Sequence, residues 1–259
     1  TFDEKCPPLR ANAGFTENVP LEALGIQHNK PDPENPHPLD IYYYERAHVT
    51  GEMTEEDWRL YSWVYHRLME DADRQIGIVL DALKESGLED NTIVVFTSDH
   101  GEMNGAHSSV AKTYFYDESS RVPFLIAGPG VKKGMVDREH FIGASTDLIP
   151  TFCDYAGVTL PEGLHGKSIR KIAEGKSPKD WRNYVISETE KGRMFRADGF
   201  KYIYYKGGNE VLYNMKKDPG EMENLAVYPE YRQQMDGYKV QLKQWVEDSN
   251  DLVAPKYLK

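Results

Sequence analysis

Four ionisable side chains of three kinds follow one strand-like run in the stretch TIVVFTSDHGEMNGAHSSVAK: Asp99, His100, His107 and Lys112. A carboxylate and an imidazole at adjacent positions are plausible metal ligands. A lysine is a compact positive charge of the kind that holds an oxyanion, and a second histidine can donate to a leaving oxygen or to the anion itself. Such a set would suit a tetrahedral anion such as sulfate or phosphate.

Each of these residues also has a purely structural interpretation. An aspartate at the end of a strand often stabilises the following turn, and Ser98 with Asp99 could do so. A single lysine such as Lys112 is commonly a solvated surface charge, and His107 could be a hydrogen-bonded loop residue. The sequence leaves both interpretations open.

The elements around these residues predict an α/β fold. The run Thr92–Thr97 is continuously apolar, which is typical of a strand that is covered on both faces, and Gly101 permits a turn directly after Asp99 and His100. In open α/β sheets, ligands bind at the carboxyl ends of the strands. Residues 54–57 resemble a helix capping box, and apolar residues at helical spacing then continue to Ser86-Gly87. A second buried strand is predicted over Val122–Ala127 and a helix over Asp147–Tyr155.

The character of the sequence changes near residue 180. Four short strands are predicted over residues 183–188, 193–198, 200–206 and 210–215, with Asp198-Gly199 and Gly207-Gly208-Asn209 as hairpin turns. A final amphipathic helix carries Tyr231, Met235, Tyr238, Leu242 and Trp245. We therefore predict three regions: an irregular Pro-rich segment at 1–52 that packs on the main domain, an α/β domain at 53–175, and a small antiparallel-sheet and helix subdomain at 176–259.

Composition excludes some classes of partner. The chain has 259 residues and a formal net charge of −11, so it lacks the basic surplus that nucleic acid or an anionic membrane surface would require. No stretch approaches the roughly 20 apolar residues that a membrane span needs. The two cysteines, Cys6 and Cys153, do not define a disulfide framework, and Cys153 is expected to pack in a helix core.

The stretch NTIVVFTSDHGEMNGAHSSVAKTYFYDESSRVPFLIAGPG resembles the second conserved block of sulfatases, which belong to the alkaline phosphatase superfamily. The matching features are Ser98 to Gly101, Lys112, Tyr116-Asp117-Glu118 and Arg121-Val122-Pro123. DLIPTFCDYAGVTLPEGLHGKSI is similar to the helix of that family and its H/D-G-x-S/R-L connection. RADGFKYIYYKGGNEVLYNMKKDPGEMENLA resembles its C-terminal hairpin region, which ends in D-P-x-E-x-x-N-L. The resemblance extends from about residue 54 onward.

This resemblance implies an alkaline-phosphatase-like mixed or parallel sheet flanked by helices, and a hydrolase of sulfate esters with a formylglycine nucleophile and a bound divalent cation. By the resemblance, Asp99 and His100 match metal ligands, Lys112 matches the lysine that contacts the sulfate, and His107 lies in a variable loop of the site. Calcium is the expected metal, with manganese or zinc as alternatives because an imidazole is an unusual ligand for calcium. Relatives of this kind are periplasmic, secreted or lysosomal, and the sequence itself does not indicate a compartment.

The first conserved block of the family is not recognisable in this chain. Cys6-Pro7-Pro8-Leu9-Arg10 spells the family pattern C-x-P-x-R, but the residues that follow cannot sustain the helix expected there, so we expect a coil. The chain therefore resembles the C-terminal portion of a sulfatase. We expect it to be inactive alone, with an exposed sheet edge where the N-terminal half of the same enzyme would pair.

Three functions remain open from the sequence. The first is a sulfatase that acts on a sulfated carbohydrate or an aryl sulfate. The second is a phosphate or phosphonate ester hydrolase of the same superfamily, and the D-P-x-E-x-x-N-L segment favours the sulfatase over it. The third is a non-catalytic binding domain derived from such enzymes.

Overall fold

The structure is a computed structural model that describes residues 5, 6, 8, 9, 11, 13, 53–256 and 258. In chain order its helices and strands are α1 (Glu55–Glu85), β1 (Val94–Thr97), α2 (Asp117–Ser120), β2 (Phe124–Ala127), α3 (Leu148–Ala156), α4 (Arg170–Ala173), β3 (Tyr184–Thr189), β4 (Gly192–Ala197), β5 (Phe200–Tyr205), β6 (Glu210–Asn214) and α5 (Arg232–Asp248). Within these described residues, no helix combines the length and the apolar character that crossing a membrane requires.

The chain forms two compact units that differ from simple sequence order. One unit contains the described residues of Thr1–His66 together with Gly101–Ser120 and Ile186–Lys259, and the other contains Arg67–His100 and Arg121–Val185. The Pro-rich segment predicted over residues 1–52 lies almost entirely outside the described residues. The region boundaries at 52/53 and 175/176 therefore stay predictions.

The long helix α1 begins at the predicted capping box. The Asp57 backbone N–H donates to Thr54 Oγ1 at 3.2 Å, while the Thr54 backbone N–H donates to Asp57 Oδ2 at 2.9 Å. These reciprocal bonds satisfy two backbone donors at the helix start, with Asp57 in the place of the usual glutamate. The helix ends at Glu85, before Gly87 with its left-handed φ of 71°. Both predicted ends are confirmed.

Strands β1 and β2 pair antiparallel, with Val94 opposite Ala127 and Thr97 opposite Phe124. The prediction that the first strand is covered on both faces is wrong for the described residues, because Phe96 on β1 is 42% exposed and Leu125 on β2 is 58% exposed. The reason is that β1 and β2 form a sheet of only two strands within the described part of the chain. The apolar run therefore indicates side chains that favour burial, although the described residues do not bury them.

The C-terminal sheet has the strand order β3-β4-β5-β6, and all four strands lie within a few residues of their predicted positions. Asp198 and Gly199 both have positive φ, at 54° and 81°, and join β4 to β5 directly, with Ala197 opposite Phe200. Two consecutive positive φ values are the signature of a type I′ hairpin turn, so the predicted turn is confirmed.

Alternate residues of this sheet pack on two different layers. Phe195 of β4 and Tyr202 of β5 lie against Tyr238 of α5, with ring centroids 5.4 Å and 6.3 Å apart. The opposite face packs against the segment that follows β1, in one buried cluster whose members are Met103, Ala106, Phe115, Tyr116, Met194, Ile203, Tyr205, Val211 and Tyr213. Because side chains alternate along a strand, one sheet can serve both layers. The sheet is thus the support for the loop that bears His107.

Candidate active site

Asp99 and His100 lie together at the carboxyl end of β1. His100 Nε2 is 3.3 Å from Asp99 Oδ2, and the His100 backbone N–H donates to Asp99 Oδ1 at 2.9 Å. Ser98 Oγ donates to the His100 carbonyl at 2.8 Å, which tightens the turn. The Asp99 side chain is 81% exposed and that of His100 is 36% exposed. The two predicted ligand groups therefore converge and remain accessible.

The electrostatic surroundings keep Asp99 ionised. Desolvation is the largest single effect and raises the pKa of the Asp99 carboxyl, but the His100 backbone N–H, the His100 ring and the Ser98 hydroxyl together outweigh it, so the pKa lies below its usual value. An ionised carboxylate beside an imidazole is a donor set that fits a divalent cation. Two residues alone do not complete a site, and the described residues contain no group of three or more His, Cys, Asp or Glu that could hold a metal ion.

The loop after Gly101 is closed by one carboxylate. Glu102 Oε1 accepts from the Ala111 backbone N–H at 2.5 Å and from the Asn104 backbone N–H at 3.3 Å. Tyr61 of α1 adds its hydroxyl to the same oxygen at 3.4 Å. The Met103 backbone N–H donates to the Ala111 carbonyl at 2.9 Å and completes the closure. Glu102 therefore sets the width of the loop that carries His107.

His107 is buried inside this loop. Its ring stacks on the Tyr116 ring with centroids 3.7 Å apart and an interplanar angle of 11°. Burial lowers the pKa of the His107 imidazole to about 4, with the charge of Lys201 acting in the same direction and Glu118 and Asp218 opposing it. The ring is therefore neutral near pH 7, where it can donate through one nitrogen and accept through the other.

Lys112 lies at the exposed end of the same loop, between Ala111 and Thr113, which both have positive φ. His107 and Lys112 belong to one compact unit, whereas Asp99 and His100 belong to the other. The structure thus brings Asp99 and His100 together, and it joins His107 and Lys112 through one loop. Convergence of all four residues on one ligand stays a prediction.

A buried hydrogen-bond network that the sequence did not reveal centres on Asp147. It joins the start of α3 to the His165–Ser168 connection. The fully buried Asp147 accepts two bonds from Arg182, at 2.8 Å and 2.6 Å, and one each from the backbone N–H groups of Gly143 and Lys167, both at 2.8 Å. A Cβ on Gly166 would lie 1.8 Å from the Thr146 carbonyl oxygen. Only glycine allows the two segments to approach this closely.

Two residues of the D-P-x-E-x-x-N-L segment, Glu221 and Asn224, bind it to other parts of the fold. Asn224 Oδ1 accepts from the Leu212 backbone N–H of β6 at 3.1 Å and from the Ala226 N–H at 3.0 Å, so it fixes the segment to the sheet edge. Glu221 is fully buried and reaches Lys201 and the Asp117 backbone N–H. Sequence patterns could not pair Glu221 with Asp117, because more than 100 positions separate them.

The two cysteines are free. Cys6 is buried and its carbonyl accepts from Arg59 at 3.0 Å, while its neighbours Pro7 and Arg10 lie outside the described residues. Cys153 lies on α3 and is only partly buried, so the expectation that it packs in a core holds only in part.

Comparison with known families assigns the chain. The sulfatase family model matches residues 33–158, and the model of the N-sulphoglucosamine sulphohydrolase C-terminal region matches residues 105–248. The chain belongs to the sulfatase family. The predicted resemblance is therefore confirmed, and it includes the stretch that carries Asp99, His100, His107 and Lys112.

Two relatives illustrate the similarity. The chain is 36% identical over 219 residues to the Delta 4,5-hexuronate-2-O-sulfatase of Bacteroides thetaiotaomicron, covering 80% of this chain and 46% of that protein. It is 30% identical over 238 residues to human Arylsulfatase K, covering 86% of this chain and 44% of the relative. The chain thus spans less than half the length of these curated sulfatases.

Solved structures confirm the predicted α/β fold class. A 2-O GAG sulfatase matches with a TM-score of 0.82 at 29% identity, over 96% of this chain and 56% of that structure. The phosphonate monoester hydrolase of Agrobacterium radiobacter matches with a TM-score of 0.70 at 30% identity, over 76% of this chain and 43% of the hydrolase. The fold is therefore shared by sulfatases and by a phosphonate esterase.

Proposed function

We propose that the natural protein that contains this chain hydrolyses sulfuric esters, and that Asp99 and His100 hold its divalent cation. The observation that carries the proposal is the exposed Asp99–His100 pair, 3.3 Å apart at the carboxyl end of β1, in a chain of the sulfatase family. Ligand sites of α/β sheets lie at this end of the strands.

The donor set limits the choice of cation. Calcium takes 6–8 oxygen ligands, so the Asp99 carboxylate suits it while the His100 imidazole is more usual for manganese or zinc. We propose calcium, with manganese and zinc as alternatives, and with the remaining ligands supplied by residues outside the described part. When bound, such a cation would offset negative charge on the sulfate oxygens.

The other two residues are assigned to the substrate. Lys112 is an exposed ammonium and would bind a sulfate oxygen as a point charge. His107 is neutral near pH 7, so it would donate a hydrogen bond or accept a proton there. An anionic sulfate nearby would raise the pKa of the imidazole and favour its protonated form.

We also propose that further sequence of the same protein completes the site, including the formylglycine nucleophile. The apolar side chains of one compact unit support this proposal, because they are exposed on several of its elements: Leu68, Ile78 and Val79 on α1, Phe96 on β1, Leu125 on β2, and Ile149 and Phe152 on α3. Exposed apolar surface of this extent is typical of an interface that another part of the protein covers. The chain alone is then expected to be inactive.

The names of the relatives favour a substrate class. One relative is a hexuronate 2-O-sulfatase and another is an arylsulfatase. We therefore propose a sulfated carbohydrate, with glycosaminoglycan-type sugars as the first class to test, and an aryl sulfate as the convenient assay substrate.

The test compares ester classes in the complete natural protein. We expect hydrolysis of 4-nitrocatechol sulfate that is lost on chelation and on Asp99→Ala or His100→Ala substitution. Asp90→Ala and His66→Ala alter exposed residues of the same types and should retain activity. Turnover that survives both Asp99→Ala and His100→Ala would refute the proposed metal site.

A phosphonate or phosphate ester hydrolase is the second candidate, and the match to the phosphonate monoester hydrolase favours it. Hydrolysis of a phosphonate monoester without hydrolysis of the sulfate ester would establish it. If neither ester is hydrolysed and divalent cations still bind through Asp99 and His100, the chain belongs to a non-catalytic binding protein.

A further inference from the structure

A buried ion cluster joins the C-terminal sheet to the segment next to His107. Lys201 of β5 is fully buried, and its ammonium lies 2.6 Å from Asp117 Oδ1 and 2.8 Å from Glu221 Oε1. It also donates to the Phe115 carbonyl at 2.8 Å. Arg196 of β4 donates to the same Asp117 oxygen at 2.6 Å. Two cationic side chains thus lie among two acidic ones.

The cluster holds the main chain as well as the side chains. The Asp117 backbone N–H donates to Glu221 Oε2 at 2.7 Å, while Lys201 binds the Phe115 carbonyl. Both ends of the short Phe115–Asp117 segment are therefore fixed to residues from β5 and from the turn after β6. Several charge-assisted bonds on so short a segment leave it little freedom to move.

Tyr116 is the residue between these two anchors, and its ring stacks on the His107 imidazole. The position of the Tyr116 ring consequently follows from the positions of Phe115 and Asp117. A displacement of this segment would remove the surface on which the His107 ring rests. The geometry thus links Glu221 to His107 through Asp117 and Tyr116.

Stability alone does not explain the cluster. Buried ion pairs are often no more stabilising than apolar residues of the same volume. Glu221 also has a positive φ of 57°, which costs about 1 kcal/mol for a residue other than glycine. Burial raises the pKa of the Glu221 carboxyl to about 7, with Lys201 lowering it and Asp117 raising it. The backbone strain and the unfavourable burial of the Glu221 carboxyl indicate that Glu221 serves to hold the groups around it in position.

We propose that Glu221, Lys201 and Asp117 are positioning residues that orient the His107 imidazole towards the substrate through the Tyr116 ring. This assignment rests on the proposed function in one respect, which is that His107 contacts a substrate. It assigns the glutamate of the D-P-x-E-x-x-N-L segment a role in the site, although Glu221 follows Asp117 by more than 100 positions.

The test uses Glu221→Gln, with Glu223→Gln as the matched control. Glu223 is an exposed glutamate of the same segment, and its Oε1 accepts from the Tyr228 hydroxyl at 3.2 Å. The first measurement is the ¹H–¹³C spectrum of the complete natural protein labelled at histidine, with the His107 signal assigned from a His107→Asn variant. A ring stacked on tyrosine has an upfield-shifted signal.

We expect Glu221→Gln to move the His107 signal downfield, towards that of an unstacked imidazole, and Glu223→Gln to leave it in place. In the sulfate ester assay, Glu221→Gln should lower kcat by up to about 100-fold with little change in KM, since displacement of a reacting group by about 1 Å has an effect of this size. Arg196→Gln, at the partly exposed edge of the cluster, should move the signal less and in the same direction.

An unchanged His107 signal in folded Glu221→Gln would overturn the proposal, whatever the enzyme hydrolyses. If Glu221→Gln does not fold, Arg196→Gln decides in the same way. Absence of sulfate ester hydrolysis by the natural protein would instead refute the proposed function, because the spectroscopic measurement does not require turnover. The two failures are therefore distinguishable.

Discussion

Substitution of Asp147 should destabilise the protein far more than substitution of a comparable aspartate nearby. Asp147 is fully buried and pairs with Arg182, whose side chain is only 16% exposed. Asp147→Asn leaves the Arg182 charge without its carboxylate and weakens the bonds from the Gly143 and Lys167 backbone N–H groups. Breaking a buried pair by changing one partner costs about 3–5 kcal/mol.

The matched control is Asp154→Asn. Asp154 pairs with Arg170, but the two side chains are 41% and 39% exposed, so water screens the interaction. An exposed pair of this kind contributes about 0.2–1 kcal/mol. Both substitutions remove one negative charge from the same compact unit, so the difference between them isolates burial.

The measurement is urea unfolding at 25 °C. With a slope of about 1–3 kcal/mol per molar urea, Asp147→Asn should lower the midpoint by at least about 1 M, and Asp154→Asn by much less. Arg182→Met should cost a comparable amount, because it leaves the fully buried Asp147 carboxylate with only its two backbone donors. Equal midpoints for Asp147→Asn and Asp154→Asn would show that the buried network is not what holds this unit together.

Three further predictions concern the stability effects of Gly166, Gly77 and His107. Gly166→Ala places a Cβ 1.8 Å from the Thr146 carbonyl oxygen, so thermal unfolding should show a loss of about 3 kcal/mol or more. Gly77→Ala meets nothing within 4 Å on α1 and should raise stability by about 1 kcal/mol in the same measurement. The His107 imidazole has a folded pKa of about 4 against 6.5 when unfolded, so its contribution is complete above pH 6.5 and is lost as the pH falls towards 4. Urea titrations across this range should therefore show acid destabilisation of about 3 kcal/mol that His107→Gln removes; an equally steep pH dependence in His107→Gln would contradict the lowered pKa.

Local elements were predictable because their determinants are local. Thr54 and Asp57 make the capping bonds that their types and spacing allow, and Asp198-Gly199 adopts the turn that its small and flexible residues favour. The alternation of Lys201 and Ile203 with Tyr202 along β5 also corresponds to the two faces of the sheet. In each case, residues that are close in sequence determine the local conformation.

The exposure of the apolar strands and the contents of the buried networks could not be predicted. A run such as Ile93–Phe96 indicates that its side chains favour burial. It does not indicate whether the described residues bury them. Lys201 could have been noticed as a lone cation among the aromatic residues of β5. Its partners Asp117 and Glu221 could not be identified, because no periodicity relates residues so far apart.

The conformation of the loop between Gly101 and Thr113 shows the same limit most clearly. Its residues with positive φ, apart from glycine, are Asn104, His107, Ser108, Ala111 and Thr113, and each costs about 1 kcal/mol or more in isolation. The Glu102 carboxylate closes the loop from within, and the loop gains further stability from the residues that it contacts outside. Met103 and Ala106 of the loop, and Phe115 and Tyr116 just after it, bury their side chains against β4, β5 and β6. A fully buried side chain of the size of Met or Phe contributes about 1.5–3 kcal/mol. The C-terminal sheet therefore supports the loop from outside while Glu102 closes it from within, and the orientation of His107 depends in part on residues that the sequence places in a separate region.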